Sequence, residues 1–116
     1  MRIISGIFKG KRIEFLKTLK TRPLKDSVKE NLFNILMHSN QINLNLKSSE
    51  ILDLYSGIGS FGLECISRGA KKVTFVEKDI LASSILNKNL TNLSAGKKAK
   101  VIVDNIFNIK DLISNE

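Results

Sequence analysis

Three acidic positions and one glycine cluster are the residues of this chain whose types and spacing could do chemistry. Asp53 stands four residues ahead of Gly57-Ile58-Gly59-Ser60-Phe61-Gly62, Glu77 lies 24 residues beyond Asp53, and Asp104-Asn105 follows later. The glycine segment matches G-x-G-x-x-G, a pattern that brings backbone close to a nucleotide but is weak evidence alone. Asp53 separates the possible ligands. A pyrophosphate on a helix N-terminus disfavours a nearby carboxylate, whereas the ammonium and sulfonium of S-adenosylmethionine favour one. Glycines at 57 and 59 would let the backbone approach such a ligand where a side chain would collide. A carboxylate at Glu77 can accept two hydrogen bonds from a ribose diol, and Asp104 is placed to accept from an adenine amino group.

These residues need elements to bring them together. From Glu50 the sequence alternates strand and helix. Ile51 to Leu54 reads as a short strand, Leu63 to Arg68 as a helix closed by Gly69, and Lys72 to Glu77 as a second strand. Ala82, Ile85, Leu86, Leu90 and Leu93 then recur at helical spacing up to Gly96, and Val101 to Val103 forms a third strand. Ile106 to Glu116 is expected to begin another helix. Such alternation predicts parallel strands with right-handed crossovers, which set all three acids on one sheet edge. Three strands make half of a doubly wound sheet, with the first strand lacking a neighbour on one side.

Ahead of this unit, residues 2–5 and 11–16 read as two antiparallel strands around Gly6 and Gly10. Thr21-Arg22-Pro23 breaks the pattern. Ser27 to Glu30 fits a capping box that opens a helix with Val28, Leu32, Phe33, Ile35 and Leu36 on one face, ending near His38. The polar stretch 39–49 is a connection. The organisation expected is a basic segment over 1–25 and a ligand-binding domain over 26–116.

Charge suits either a polyanion contact or a solvated, solubilising face. The chain of 116 residues carries a formal net charge of +8, and its first thirty hold nine basic residues against three acidic ones. Arg2, Lys9, Lys11 and Arg12 on the hairpin are the candidate nucleic-acid contacts, within a run that continues through Lys17, Lys20, Arg22, Lys25 and Lys29. The hydrophobic content of 42% and charged content of 26% suit one globular domain. No apolar run approaches the ~20 residues needed to cross a bilayer, and the opening residues are too short a run for a signal peptide, so a cytoplasmic protein is expected. Cys65, the only cysteine, rules out a disulfide framework and any cysteine-based metal site; it reads as a small buried hydrophobe. His38, the only histidine, reads as a helix-end residue rather than an acid–base catalyst.

The chain resembles the RsmD family of bacterial methyltransferases that act on a guanine of small-subunit ribosomal RNA. The segments that carry the likeness are Met1 to Gly6 with Phe8-Lys9-Gly10, Thr21-Arg22-Pro23, Leu32 to Leu36, Leu52 to Glu64, Ser67 to Ala70 and Val76-Glu77-Lys78. The resemblance implies an incomplete Rossmann-like class I methyltransferase domain of three parallel strands with crossover helices, preceded by an N-terminal β-hairpin and helix. It implies S-adenosylmethionine as methyl donor, held by Asp53, Tyr55, Ser56, Gly57, Gly59, Glu77, Lys78, Asp104 and Asn105, with Arg22 nearby. It also implies methyl transfer to the exocyclic amine of guanine in ribosomal RNA or an assembling small subunit, with no metal and no membrane partner. The family's Asp/Asn-Pro-Pro-Tyr/Phe acceptor motif is absent here, since Pro23 is the only proline. No catalytic residue is therefore expected within these residues, which read as the family's N-terminal portion. Other acceptors (DNA or protein), a non-catalytic RNA-binding fragment and a nicotinamide-dependent oxidoreductase are the competing readings.

Overall fold

The computed structural model describes residues 1–15, 25–38 and 46–105. Three strands, β1 (Glu50–Asp53), β2 (Lys72–Val76) and β3 (Ala99–Ile102), form a parallel sheet in the order β1-β2-β3. The helices are α1 (Asp26–His38), α2 (Ser60–Ser67) and α3 (Ile80–Asn92), with a 3₁₀ turn over Gly96–Lys98. The α2 and α3 crossovers follow a strand order that runs one way, so right-handed connections place both helices on one face of the sheet.

The register explains the core. Ile51 pairs with Val73 and Asp53 with Phe75, while Val73 pairs with Ala99 and Phe75 with Val101, so these side chains share the helix-covered face. Val73 and Phe75 are fully buried there with Leu63, Ile66 and Leu86. Gly62 lets α2 lie directly on β2, for a Cβ at that position would stand 2.2 Å from the Phe75 ring. Leu52, on the opposite face, remains 46% exposed.

The local stops come from hydrogen bonds. Gly69 at φ +112 closes α2, its amide reaching Ile66 O and the Ala70 amide reaching Cys65 O. The end of α3 departs from expectation: Ser94, at φ +55, takes the left-handed position, with the Ala95 amide on Leu90 O, and Gly96 only begins the 3₁₀ turn. The start of α1 also differs. The helix opens at Asp26, because the Lys25 carbonyl already accepts from the Lys29 amide, so Ser27 sits inside the first turn. Its buried side is Lys29 and Phe33, whereas Val28 and Ile35, expected on the core face, are exposed.

The N-terminal hairpin is narrower than expected. A single antiparallel bridge joins Arg2 to Arg12, with the Ile3 amide on Lys11 O and the Ile13 amide on Met1 O. The ladder stops there because the Ile4 and Ser5 amides turn to the Glu64 carboxylate, at 2.9 and 3.0 Å. Ile3 and Ile13 are buried in the same core as the sheet residues. The residue Arg22 and the helix expected after Ile106 lie outside the described residues.

Candidate functional site

The carboxyl ends of the three strands are stitched side by side by the turn that leaves β1. The Ser56 amide donates to Val76 O at 3.1 Å, and the Ser56 hydroxyl donates to Asp53 O while accepting from the Val76 amide. Glu77 continues the stitch, its amide donating to Ile102 O at 3.0 Å. Ser56 was expected to touch a ligand; its buried hydroxyl instead has both roles filled by backbone and fixes the turn between β1 and β2.

Asp53 sits at the mouth of that turn. Its Oδ2 is buried and has no hydrogen-bond partner among the described residues. Burial pushes its carboxyl up to about 6; the Tyr55 and Gly62 amides oppose that rise, and the neighbouring Glu77 charge adds to it. Glu77 is half-buried and uses both oxygens on backbone, Oε1 accepting from the Gly57 amide at 2.8 Å and Oε2 from the Asp79 amide at 2.9 Å. Each oxygen keeps a second acceptor site. Two adjacent carboxylates, one of them incompletely satisfied, form a receptor for a cation or for several donors.

The two glycines expected to cradle a ligand divide. Gly57, at φ +53, has open space where its Cβ would be. Gly59, at φ +94, faces inward instead, where a Cβ would lie 2.3 Å from Leu86 Cδ1. The missing side chain at Gly59 therefore seats the turn on α3. Tyr55 is 77% exposed beside the site, and Lys78 is exposed beyond β2. Asp104 and Asn105 follow β3 on the same sheet edge, the Asn105 amide donating to Asp104 Oδ1 at 2.6 Å.

Several residues that shape this edge escape a reading of the sequence. Asp79 caps α3 by accepting from the Ala82 amide at 2.9 Å, and an Asp just ahead of a helical pattern was a usable signal. Asn89, buried within α3, donates to Ile58 O and Glu14 O and accepts from the Glu14 amide, tying the glycine turn to the N-terminal arm. Nothing local marks it. Cys65 is buried and its thiol is pushed up to about 12 by burial, then by the Asp53 and Glu64 charges against Arg68, which agrees with an inert role.

Lys29 leaves the basic face altogether. It is fully buried, pairing with Glu64 at 3.2 Å and donating to Arg2 O at 2.7 Å. Arg2, Lys9, Lys11 and Arg12 are exposed as expected. Among the described residues no group of His, Cys, Asp or Glu is arranged to hold a metal. None of the described helices is long and apolar enough to cross a membrane.

The shifted Asp53 has a stability signature. Folding raises this acid from 3.8 to about 6, so the folded chain binds the extra proton between roughly pH 4 and pH 6. The contribution of Asp53 to stability is then fully present below that window, falls as pH rises through it and is level above it. Asp53→Asn should remove that contribution to the slope and raise the melting temperature at pH 7 by about 4 °C for each ~1 kcal/mol recovered, the conversion for a domain a little over 100 residues. A mutant whose melting temperature keeps the wild-type pH profile would place the titration elsewhere.

Comparison with known proteins extends over nearly the whole chain. The family model described as Conserved hypothetical protein 95 matches residues 1–115. Ribosomal RNA small subunit methyltransferase D of Haemophilus influenzae is 43% identical over 103 residues, covering 88% of this chain and 50% of the relative. The protein of the same name from Escherichia coli K12 is 36% identical over 105 residues, covering 90% of this chain and 50% of the relative. The chain thus spans about half the length of these relatives. Among solved structures, the Escherichia coli protein yhhF superposes with a TM-score of 0.73 at 34% identity, covering 90% of this chain and 52% of that one. A Thermus protein, TTHA0928, shares the fold with a TM-score of 0.78 at 24% identity, over 99% of this chain and 61% of its own.

Proposed function

The chain belongs to the family described as Conserved hypothetical protein 95, and from that premise we propose that it forms the donor-binding part of an S-adenosylmethionine-dependent RNA methyltransferase. The family likeness drawn from the N-terminal and glycine segments agrees with relatives named as ribosomal RNA methyltransferases. The observation that carries the reading is Asp53: a buried carboxylate oxygen without a partner among the described residues, beside the Glu77 charge. Such an atom suits a ligand that brings a cation or hydrogen-bond donors, and it repels a pyrophosphate.

The donor set fits S-adenosylmethionine. Asp53 would receive the cationic methionine end, the Gly57 backbone would lie along the ligand, and Glu77 would accept from the ribose with its remaining lone pairs. Asp104 and Asn105 would meet the adenine, with Tyr55, Lys78 and Arg22 at the margin. Ser56 and Gly59 serve by shaping the turn. When bound, the ligand supplies a sulfonium methyl group. The acceptor is the exocyclic amine of a guanine in small-subunit ribosomal RNA, and the exposed cations Arg2, Lys9, Lys11 and Arg12 contact that RNA.

Calorimetry with S-adenosylmethionine and with NAD tests the ligand. Binding of the first and not the second is expected, and the reverse would sink the assignment. Asp53→Ala and Glu77→Ala should each weaken the donor by about 1–3 kcal/mol, the range of a charge-assisted hydrogen bond. Because the ligand end at Asp53 is cationic, donor affinity should rise as pH passes upward through about 6. Asp53→Asn should remove that dependence.

A further inference from the structure

The hairpin carries a charge arrangement that its own fold does not explain. Arg2 and Arg12 face each other across the single antiparallel bridge. The bonds from Ile3 to Lys11 and from Ile13 to Met1 flank that pair, which makes it a non-hydrogen-bonded pair, the type with the closest side chains. Like charges directly opposite each other destabilise such a pair. Neither guanidinium has an ion-pair partner among the described residues. The nearby acids are already engaged: Glu14 pairs with Lys88 at 3.0 Å, and Asp26 accepts from the Arg2 backbone amide.

Both arginines line a cleft of about 630 Å³, together with Met1, Ile13, Phe15, Asn92 at the end of α3, and Glu14, whose carboxylate is paired with Lys88. That volume lies in the range of small-ligand sites. Phe15 is 41% exposed and lines the same cleft as both arginines, a combination of aromatic and cationic residues that suits a nucleobase and its phosphate. The Glu14 backbone beside these residues is held in place, because Asn89 accepts from its amide and donates to its carbonyl.

We propose that this cleft seats one nucleotide of single-stranded RNA, with Arg2 and Arg12 clamping a single phosphodiester and Phe15 stacking on the adjoining base. The inference rests on the RNA reading above and sharpens it from a basic surface to a shaped site. An aromatic platform tolerates any base, so the cleft grips the strand rather than reading its sequence.

The test is binding of a labelled single-stranded RNA octamer to the full chain across a salt series, with melting curves confirming that each variant folds. Phe15→Ala should weaken binding roughly tenfold without altering the salt slope, and Phe15→Trp should retain it. Arg2→Ala with Arg12→Ala should lower the slope of log K against log salt by about 0.7, the value of one single-strand phosphate. A loss of about 1.4 would mean two separate phosphates and would overturn the clamp. If wild type binds RNA and Phe15→Ala binds equally well, the cleft is wrong and the RNA reading stands. If wild type binds S-adenosylmethionine but no RNA even at low salt, the RNA reading fails and takes the cleft with it.

Discussion

Glu64→Gln should cost about 3–5 kcal/mol of folding stability, the range for breaking a buried ion pair by removing one partner. The change is isosteric, so packing is not at issue. Glu64 is fully buried in α2 and accepts from four donors: the Ile4 and Ser5 amides, the Lys29 ammonium at 3.2 Å and Arg68 Nε at 2.9 Å. A carboxylate answers donors on both oxygens, whereas the glutamine amide turns an NH₂ toward one pair of them. Lys29 would keep its charge in a site with no exposure, left with Arg2 O and Ser60 Oγ. Urea unfolding measures the loss, and a change below ~1 kcal/mol would show that the network is replaceable. Lys29→Met in the Glu64→Gln background should recover part of the loss, because it removes the stranded charge.

Gly6→Ala should release the tip of the N-terminal arm, at a cost of about 2–4 kcal/mol. Gly6 has φ +88, and a Cβ built there would stand 1.9 Å from Ser67 O and 2.3 Å from Ser67 C, both backbone atoms of α2. No rotamer relieves that collision. The tip must lift, taking with it the Ile7 amide bond to Ser67 O, the Phe8 amide bond to Ser67 Oγ and the Ser67 hydroxyl bond to Ser5 O. Hydrogen exchange at Ile7 and Phe8 should speed up sharply, while amides of β2 respond only through the global loss. Retained protection at both tip amides would refute the docking. Since Arg2 and Arg12 share this arm, RNA affinity should fall in the same variant without any change to a cationic residue.

The sequence by itself determined the strand–helix alternation and the convergence of Asp53, Glu77 and Asp104 on one edge. Both rest on short-range physics: a two- or 3.6-residue period places apolar side chains, and parallel strands with right-handed crossovers put their carboxyl ends together. Cys65 as a buried hydrophobe and His38 as an exposed helix end were legible on the same terms. What only the tertiary structure decided are the partners across the chain. Lys29 reads locally as one more solvated cation, yet Glu64, 35 residues later, receives it in the core. The hairpin ladder ends after one bridge because that same carboxylate captures the Ile4 and Ser5 amides. The need for glycine at 59 comes from Leu86, which fills the space where a Cβ would stand, and the Ser56 hydroxyl is bound by Asp53 O and the Val76 amide. A polar or glycine residue can meet ligand, water or protein with equal local propensity. The outcome turns on which groups the fold brings within hydrogen-bonding distance, and those lie far outside any window in which the sequence is periodic.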